Sequence, residues 1–106
     1  MIKLHNSELE IAVKLHGAEL CSIVKNGCEH LWNADPAIWA RHSPVLFPIV
    51  GRVWESRYRV LNREYSLPQH GFARDMDFTL IEQTPCSATF ALESNEETLA
   101  KYPYPF

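Results

Sequence analysis

The chain has 106 residues, a hydrophobic fraction of 46% and a charged fraction of 22%, values that are ordinary for one small globular domain. No apolar run approaches the ~20 residues that a transmembrane helix needs, and the N-terminus lacks the apolar core of a signal peptide. The net charge of −3 and the absence of a lysine-rich face disfavour nucleic-acid binding. We therefore expect a single cytoplasmic domain over residues 1–106, with no nucleic-acid or membrane partner.

The first third of the chain predicts four strands. Residues 2–5 form a short first strand, and residues 8–15 alternate apolar and polar side chains with the period of a half-buried strand. A third strand is expected over residues 18–24. Asn26-Gly27 is a strong hairpin signal that leads into a fourth strand over residues 28–32.

A single helical turn is predicted for residues 33–39. Asp35 can cap this turn, and Pro36 stands where a first helical residue belongs. Trp39 at the end of the turn is expected in the core, and a sugar-stacking role for it is the less favoured interpretation.

Residues 43–53 predict an irregular segment rather than a central strand. They are mainly apolar, but Pro44 and Pro48 cannot donate to a strand ladder. The expected result is an edge strand or bulged segment that ends at Gly51 and aims the side chain of Arg52. Because a buried charge needs a partner, Arg52 either pairs with a carboxylate or binds a ligand.

Two hairpins are predicted in the second half of the chain. The first joins residues 58–61 to residues 64–67 through a turn at residues 62–63, and the second joins residues 78–82 to residues 88–93.

A short helix is predicted after the second hairpin. Ser94 and Glu97 have capping-box spacing, which favours a helix over residues 95–100. The predicted fold is therefore an all-β, antiparallel β-sandwich with one or two short helices.

The three cysteines predict neither a disulfide framework nor a metal site. Cys21, Cys28 and Cys86 are an odd number without C-x-x-C spacing, so free buried thiols are expected. Cys28 and His30 supply only two ligands, which is too few to make a metal site.

The loop over residues 67–75 concentrates polar groups suited to binding. Pro68 and Gly71 interrupt any regular ladder, and loops on a β scaffold are where binding groups gather. Gln69, His70 and Arg74 together offer donors and acceptors for a small, hydroxyl-rich molecule. The alternative interpretation is an ordinary turn with an exposed ion pair of little energetic weight.

The arginines are unevenly placed along the chain. All six fall within residues 41–74, where only two glutamates oppose them, so this segment carries 6 − 2 = +4 and the rest carries −7. A positive segment in an acidic chain can attract an anionic ligand such as a phosphorylated sugar. Three of the arginines are interpreted as the solvated face of the first hairpin: Arg57, Arg59 and Arg63.

Taken together, these stretches resemble the galactose-mutarotase-like family of aldose 1-epimerases. The resemblance is strongest to the branch related to lactose-operon X proteins and hexose-6-phosphate epimerases. The matching stretches follow the family's order and are GAEL (17–20), SPVLFPIVGR (43–52), the hairpin of residues 58–67, QHGFAR (69–74) and YPYPF (102–106). The combination of Gly51-Arg52 with the His70 loop is fairly specific, whereas neither element is specific alone.

The resemblance implies a large antiparallel β-supersandwich that binds a sugar in a cleft on one sheet. It implies that Arg52 and His70 contact sugar hydroxyls, with Arg74 and Gln69 beside them. In the branch that accepts phosphorylated sugars, Arg52 and Arg74 would hold the phosphate. The family interconverts the α and β anomers of an aldose by acid–base ring opening, without a cofactor.

The resemblance also implies that this chain contains no catalytic residue. Family members are considerably longer, and their catalytic histidine and glutamate come from the region that follows the final YPYPF stretch. His70 matches the substrate-binding histidine rather than the proton donor, and Asp75 beside Arg74 would be a weak base. We therefore expect the N-terminal part of a longer family member.

Exposed sheet edges in such a part favour a homodimer. Two alternative functions are a non-catalytic carbohydrate-binding module and a β domain used for protein–protein association.

Overall fold

The computed structural model describes residues 1–106. The first third of the chain is a four-stranded antiparallel sheet in the order β1-β2-β3-β4. Its strands are β1 (Ile2–His5), β2 (Glu10–Lys14), β3 (Glu19–Lys25) and β4 (Cys28–Glu29). The four predicted strands are confirmed, although β4 is shorter than the range 28–32 predicted for it.

The alternation in β2 decides which face of this sheet is covered. Val13 is 8% exposed and lies on the same face as Ile11, whereas Glu10 is exposed. Leu4 of β1 stands opposite Ile11 in the register and is also buried. Because successive strand residues point to opposite faces, the period of two collects this apolar set on one side.

The second half of the chain contains two hairpins, as predicted. They are β5 (Arg57–Val60) with β6 (Arg63–Ser66), and β7 (Thr79–Gln83) with β8 (Ala88–Ala91). The first hairpin turns at Leu61 and Asn62, whose φ angles are 48° and 64°. Positive φ at both central residues is the geometry of a tight hairpin turn, so this turn lies one residue earlier than predicted.

The predicted short helix is α1 (Glu96–Lys101), but its cap differs from the prediction. Asn95, not Ser94, is the N-cap: its side chain accepts from the Thr98 amide, and the Thr98 hydroxyl accepts from the Asn95 amide. Ser94 instead accepts a hydrogen bond from the amide of Phe106. A threonine thus completes the reciprocal cap in place of the predicted glutamate.

The helical turn predicted for residues 33–39 is an isolated hydrogen-bonded turn and not a helix. Asp35 caps it as expected, since its carboxylate accepts from the Ala37 amide at 2.9 Å and its carbonyl accepts from Ile38 and Trp39. The core position predicted for Trp39 is wrong, because the residue is 49% exposed.

The cysteine predictions are confirmed in part. All three thiols are free, and Cys21 is buried. Cys28 and Cys86 are exposed, because β4 and the loop between β7 and β8 both lie at the surface.

The irregular segment predicted for residues 43–53 is confirmed, and its backbone meets the loop with the predicted site residues at Phe47. The carbonyl of Phe47 accepts hydrogen bonds from the amides of Phe72 (3.0 Å) and Ala73 (3.2 Å). A Cβ added to Gly71 would stand 2.2 Å from that carbonyl oxygen. Only glycine permits such a close approach of two backbones.

The best-packed part of the molecule surrounds this junction. The ring of Phe47 meets Phe72, Tyr102 and Phe106 edge-on, with ring centroids 6.3, 6.4 and 5.0 Å away, the arrangement that aromatic quadrupoles favour. Phe72 is 3% exposed and Leu67 is 1% exposed. The C-terminal segment is therefore packed against the two loops that carry the predicted site.

The molecule as a whole is a thin layer. It measures 54 × 34 × 15 Å, and its radius of gyration of 16.4 Å exceeds the roughly 13 Å of a compact domain of ~100 residues. Only 10 of the 106 residues are buried, so most apolar side chains still contact solvent. The chain contains no helix long and apolar enough to cross a membrane.

Gly71→Ala should destabilise the fold far more than Gly27→Ala. Both glycines have positive φ (72° and 73°). Backbone strain should therefore lower the free energy of unfolding of both variants by about 1 kcal/mol. Only at Gly71 does the new methyl group collide with backbone atoms, whereas nothing lies within 4 Å at Gly27. This collision should lower the free energy of unfolding of Gly71→Ala by about 2 kcal/mol or more in addition. Urea unfolding of the two variants measures this difference, and equal unfolding midpoints would contradict it.

Candidate functional site

His70 is held against Gly51 by two hydrogen bonds. The Gly51 amide donates to Nδ1 of His70 at 2.8 Å, and the His70 amide donates to the Gly51 carbonyl at 2.7 Å. Since Nδ1 accepts, the proton of the neutral ring lies on Nε2. Nε2 is 3.4 Å from the side-chain amide of Gln69 and is the ring atom left to donate to a ligand oxygen.

Arg74 lies in a 3₁₀ turn over Ala73–Asp75, at the end of the same loop. One Nη atom donates to the carbonyl of Gln69 at 2.8 Å, and the Arg74 side chain is 16% exposed. Its Nε is buried without a hydrogen-bond partner; the nearest carboxylate oxygen, on Asp75, is 3.9 Å away. A guanidinium has five N–H donors, so most of those of Arg74 are not used within the protein.

Arg41 is a member of this cluster that the sequence did not single out. Its Nη2 donates to Asp75 at 2.9 Å, so Asp75 stands between two guanidinium groups. The next carboxylate, Asp77, lies 2.8 Å from Nδ1 of His16. Both carboxylates thus lie in ion pairs at the surface.

Gly17 packs against the backbone of the loop that carries Arg74. Its amide donates to the carbonyl of Met76 at 2.7 Å, and a Cβ there would stand 2.7 Å from the carbonyl oxygen of Arg74. The turn between β2 and β3 thus packs directly on the backbone of Arg74. The only sequence signal of this contact is the glycine itself, since its partners lie more than fifty positions away along the chain.

Arg52 follows Gly51 directly and is exposed, so the expectation of a buried charge that needs a partner is wrong. The arginines that form ion pairs are Arg41, Arg57 and Arg74, so the guanidinium of Arg52 has no carboxylate partner. The structure thus joins Gln69, His70 and Arg74 directly, and links Arg52 to them through the Gly51 backbone. Their assignment to a ligand site remains a prediction.

A separate group of residues could hold a metal ion. Glu19, Cys21 and His42 each offer a ligand atom, and these atoms lie within 4.8 Å of one another; the pair Cys28 and His30 is not part of it. Burial raises the pKa of the Glu19 carboxyl, but hydrogen bonds from Lys14 and from backbone amides outweigh that effect and hold the pKa below its ordinary value. Glu19 is therefore ionised although it is 2% exposed.

The comparison with known families decides where this chain belongs. The family model described as aldose 1-epimerase matches residues 1–106. The chain belongs to the aldose 1-epimerase family. The resemblance predicted from the sequence is confirmed by this match.

The three relatives described here are longer than this epimerase-family chain. It is 40% identical over 112 residues to the protein LacX, chromosomal, of Lactococcus lactis subsp. lactis. The aligned region covers 99% of this chain and 37% of that protein. A solved galactose mutarotase related enzyme from Lactobacillus acidophilus is 42% identical with a TM-score of 0.97, over 98% of this chain and 35% of that one. A galactose mutarotase-like protein from Lactobacillus casei ATCC 334 is 38% identical with a TM-score of 0.95, over 99% of this chain and 36% of that one.

The predicted all-β fold is confirmed by these structures. The chain consists mainly of antiparallel strands and has one short α-helix. It superposes on galactose mutarotase-like structures. The chain spans about a third of the length of the relatives it matches.

His70→Ala should free the Gly51 amide, whereas His70→Asn should not. Alanine removes the acceptor, which costs about 1 kcal/mol, and amide exchange at Gly51 should become roughly fivefold faster. The Asn oxygen occupies nearly the position of Nδ1, and asparagine tolerates the φ of 65° found here. Hydrogen exchange at Gly51 followed by NMR measures both effects, and equal acceleration in the two variants would rule out Nδ1 as the acceptor.

Proposed function

We propose that this chain is the sugar-binding portion of an aldose 1-epimerase-like protein, whose ligand is a hexose or a hexose phosphate. The proposal rests chiefly on the paired hydrogen bonds between Gly51 and His70. They hold the imidazole with Nε2 available, against the residue that directly precedes Arg52. Gln69 and Arg74 add an amide and a guanidinium at the same loop.

The charges of this loop favour an anionic form of the sugar. Arg74 keeps unused donors, and Arg52 has no carboxylate partner. Guanidinium groups recognise phosphate through paired hydrogen bonds. A hexose phosphate would therefore gain contacts that the unmodified hexose lacks.

Anomer interconversion, the reaction of the family, needs a base and an acid that this loop does not provide. Asp75 is paired with Arg41, and Asp77 is paired with His16. His70 donates through one nitrogen and is committed to Gly51 through the other. We therefore propose that the chain binds sugar without accelerating mutarotation, and that it acts in the cytoplasm without a cofactor.

Arg52→Ala should weaken binding of a hexose 6-phosphate about tenfold or more, because a hydrogen bond to a charged group contributes ~1.5–3 kcal/mol. The parent chain should bind the hexose 6-phosphate with a Kd of roughly 0.3 mM, as ~0.3 kcal/mol for each of ~16 heavy atoms implies. Chemical-shift titration by NMR measures both affinities. Arg59→Ala is the matched control, since Arg59 is an exposed arginine in the hairpin formed by β5 and β6.

Equal losses in the two arginine variants would show non-specific attraction of phosphate and would contradict the site. Polarimetry on fresh α-glucose and on a hexose 6-phosphate separates binding from catalysis. We expect the rate with the purified chain to equal that of buffer, and robust acceleration would overturn the non-catalytic assignment.

A second candidate function, association between copies of the chain, is favoured by the thinness of the layer. An apolar groove of about 330 Å³ opens at the surface, and its lining consists of Val45, Phe47, Ala73, Phe78, Leu92 and Phe106. β8 beside it has a partner strand on one side only, and an open edge invites pairing with another chain.

Val45→Glu should convert such a dimer into monomers, whereas Leu61→Glu should not. Val45 lines the groove, and a carboxylate buried there between two copies would be unpaired. Leu61 is 96% exposed at the tip of the hairpin formed by β5 and β6. Sedimentation velocity measures the mass, and a monomeric parent chain would exclude this association.

A further inference from the structure

Three side chains with metal-binding atoms converge near the start of β3. Glu19 and Cys21 lie two positions apart in β3, where the register with β2 has a bulge that skips Cys21. His42 comes from the segment that leads to Pro44. One ligand atom from each residue lies within 4.8 Å of the other two, although twenty-three positions separate Glu19 from His42 along the chain.

Two residues of the group are buried, and the half-buried third residue carries an unsatisfied atom. Glu19 is 2% exposed and Cys21 is 9% exposed. Nδ1 of His42 is closed to solvent and has no hydrogen-bond partner. A buried polar atom without a partner is rare in folded proteins, and a missing ion is one of its recognised causes.

The Glu19 carboxylate already shows how a cation would be held. Its Oε1 accepts the amides of His42 (2.9 Å) and Ser43 (3.1 Å), which fixes the plane of the group. Its Oε2 pairs with the ammonium of Lys14, whose side chain is 36% exposed. Lys14 can therefore swing into solvent and leave Oε2 to a metal ion.

We propose that Glu19, Cys21 and His42 bind one divalent transition-metal ion of the Zn²⁺ type. Carboxylate, thiolate and imidazole are all ligands that Zn²⁺ accepts, and three protein ligands leave one coordination position for water. Binding of the ion displaces the proton of the Cys21 thiol, which now donates to the Glu19 carbonyl, and releases it to solvent. The thiolate and the Glu19 carboxylate then balance the charge of the ion, so the complex is neutral. The ion would tie β3 to the segment that continues to Arg52, and it is independent of the sugar-binding proposal.

Co²⁺ is the probe for the first measurement, because a thiolate ligand gives Co²⁺ an intense near-ultraviolet charge-transfer band. The purified 106-residue chain, kept reduced, should bind one Co²⁺ with this band and with the strong visible absorption of tetrahedral coordination. Added Zn²⁺ should displace Co²⁺ and remove both signals. Octahedral Co²⁺ spectra without the thiolate band would overturn the proposal.

Single substitutions identify the ligands. Cys21→Ser and His42→Gln should each weaken binding by at least about 100-fold, beyond what changes around a metal site's ligands cost. Cys86→Ser and His30→Gln are the matched controls, since both residues are exposed and lie outside the cluster, and they should leave the affinity unchanged. Loss of the band in Cys86→Ser, or its survival in Cys21→Ser, would overturn the proposal.

Lys14→Met supplies a test that does not depend on removing a ligand. Without the competing ammonium, the buried carboxylate lacks its cation, so Zn²⁺ should bind about tenfold more tightly than in the parent chain. Because the affinity is higher, Zn²⁺ should also raise the melting temperature of Lys14→Met by more than that of the parent chain. A smaller rise in Lys14→Met than in the parent chain would show that Lys14 belongs to the structure of the cluster and would overturn the proposal.

Discussion

The pair of hydrogen bonds between Gly51 and His70 is the interaction on which the candidate site depends. It joins two segments that have no regular secondary structure, and nineteen positions of chain separate its partners. One bond uses the imidazole and the other uses the backbone, so the ring cannot rotate without breaking the connection. Arg52 follows one partner of this contact in the sequence, and Gln69 precedes the other.

The backbone contact at Phe47 makes this pairing sterically feasible. The Phe47 carbonyl accepts two amides from the loop, and Gly71 lets the strands of backbone approach without a side chain between them. The aromatic rings of Phe72 and Phe106 then cover the junction on one face. Positioning of the polar groups thus depends on a small apolar core directly beneath them.

Local patterns in the sequence predicted most of the strands and turns correctly. Alternation marked β2, and Asn26-Gly27 marked the hairpin between β3 and β4, because both signals depend on neighbouring residues. The first residue of α1 was harder to predict from the sequence, since Asn95 and Ser94 are both good N-caps. Only the reciprocal hydrogen bonds with Thr98 distinguish them. The exposure of Trp39 could not be predicted, because burial depends on what packs against a residue.

The composition of the site was predictable, but its connections were not. Gln69, His70 and Arg74 stand together in the sequence, so their proximity needed no fold. The contact of Arg41 with Asp75 and the group of Glu19, Cys21 and His42 each join residues more than twenty positions apart. No local pattern indicates such pairs. The prediction that Arg52 and His70 belong to one site came from the family resemblance.

A layer 15 Å thick has a consequence for the synthesis of this chain. Translation delivers polypeptide at roughly 5–20 residues per second, so the 106 residues emerge over seconds. The groove of valine, leucine and phenylalanine is apolar surface that the finished layer leaves uncovered. Such surface is prone to aggregation during synthesis, and it is the kind of surface that chaperones bind.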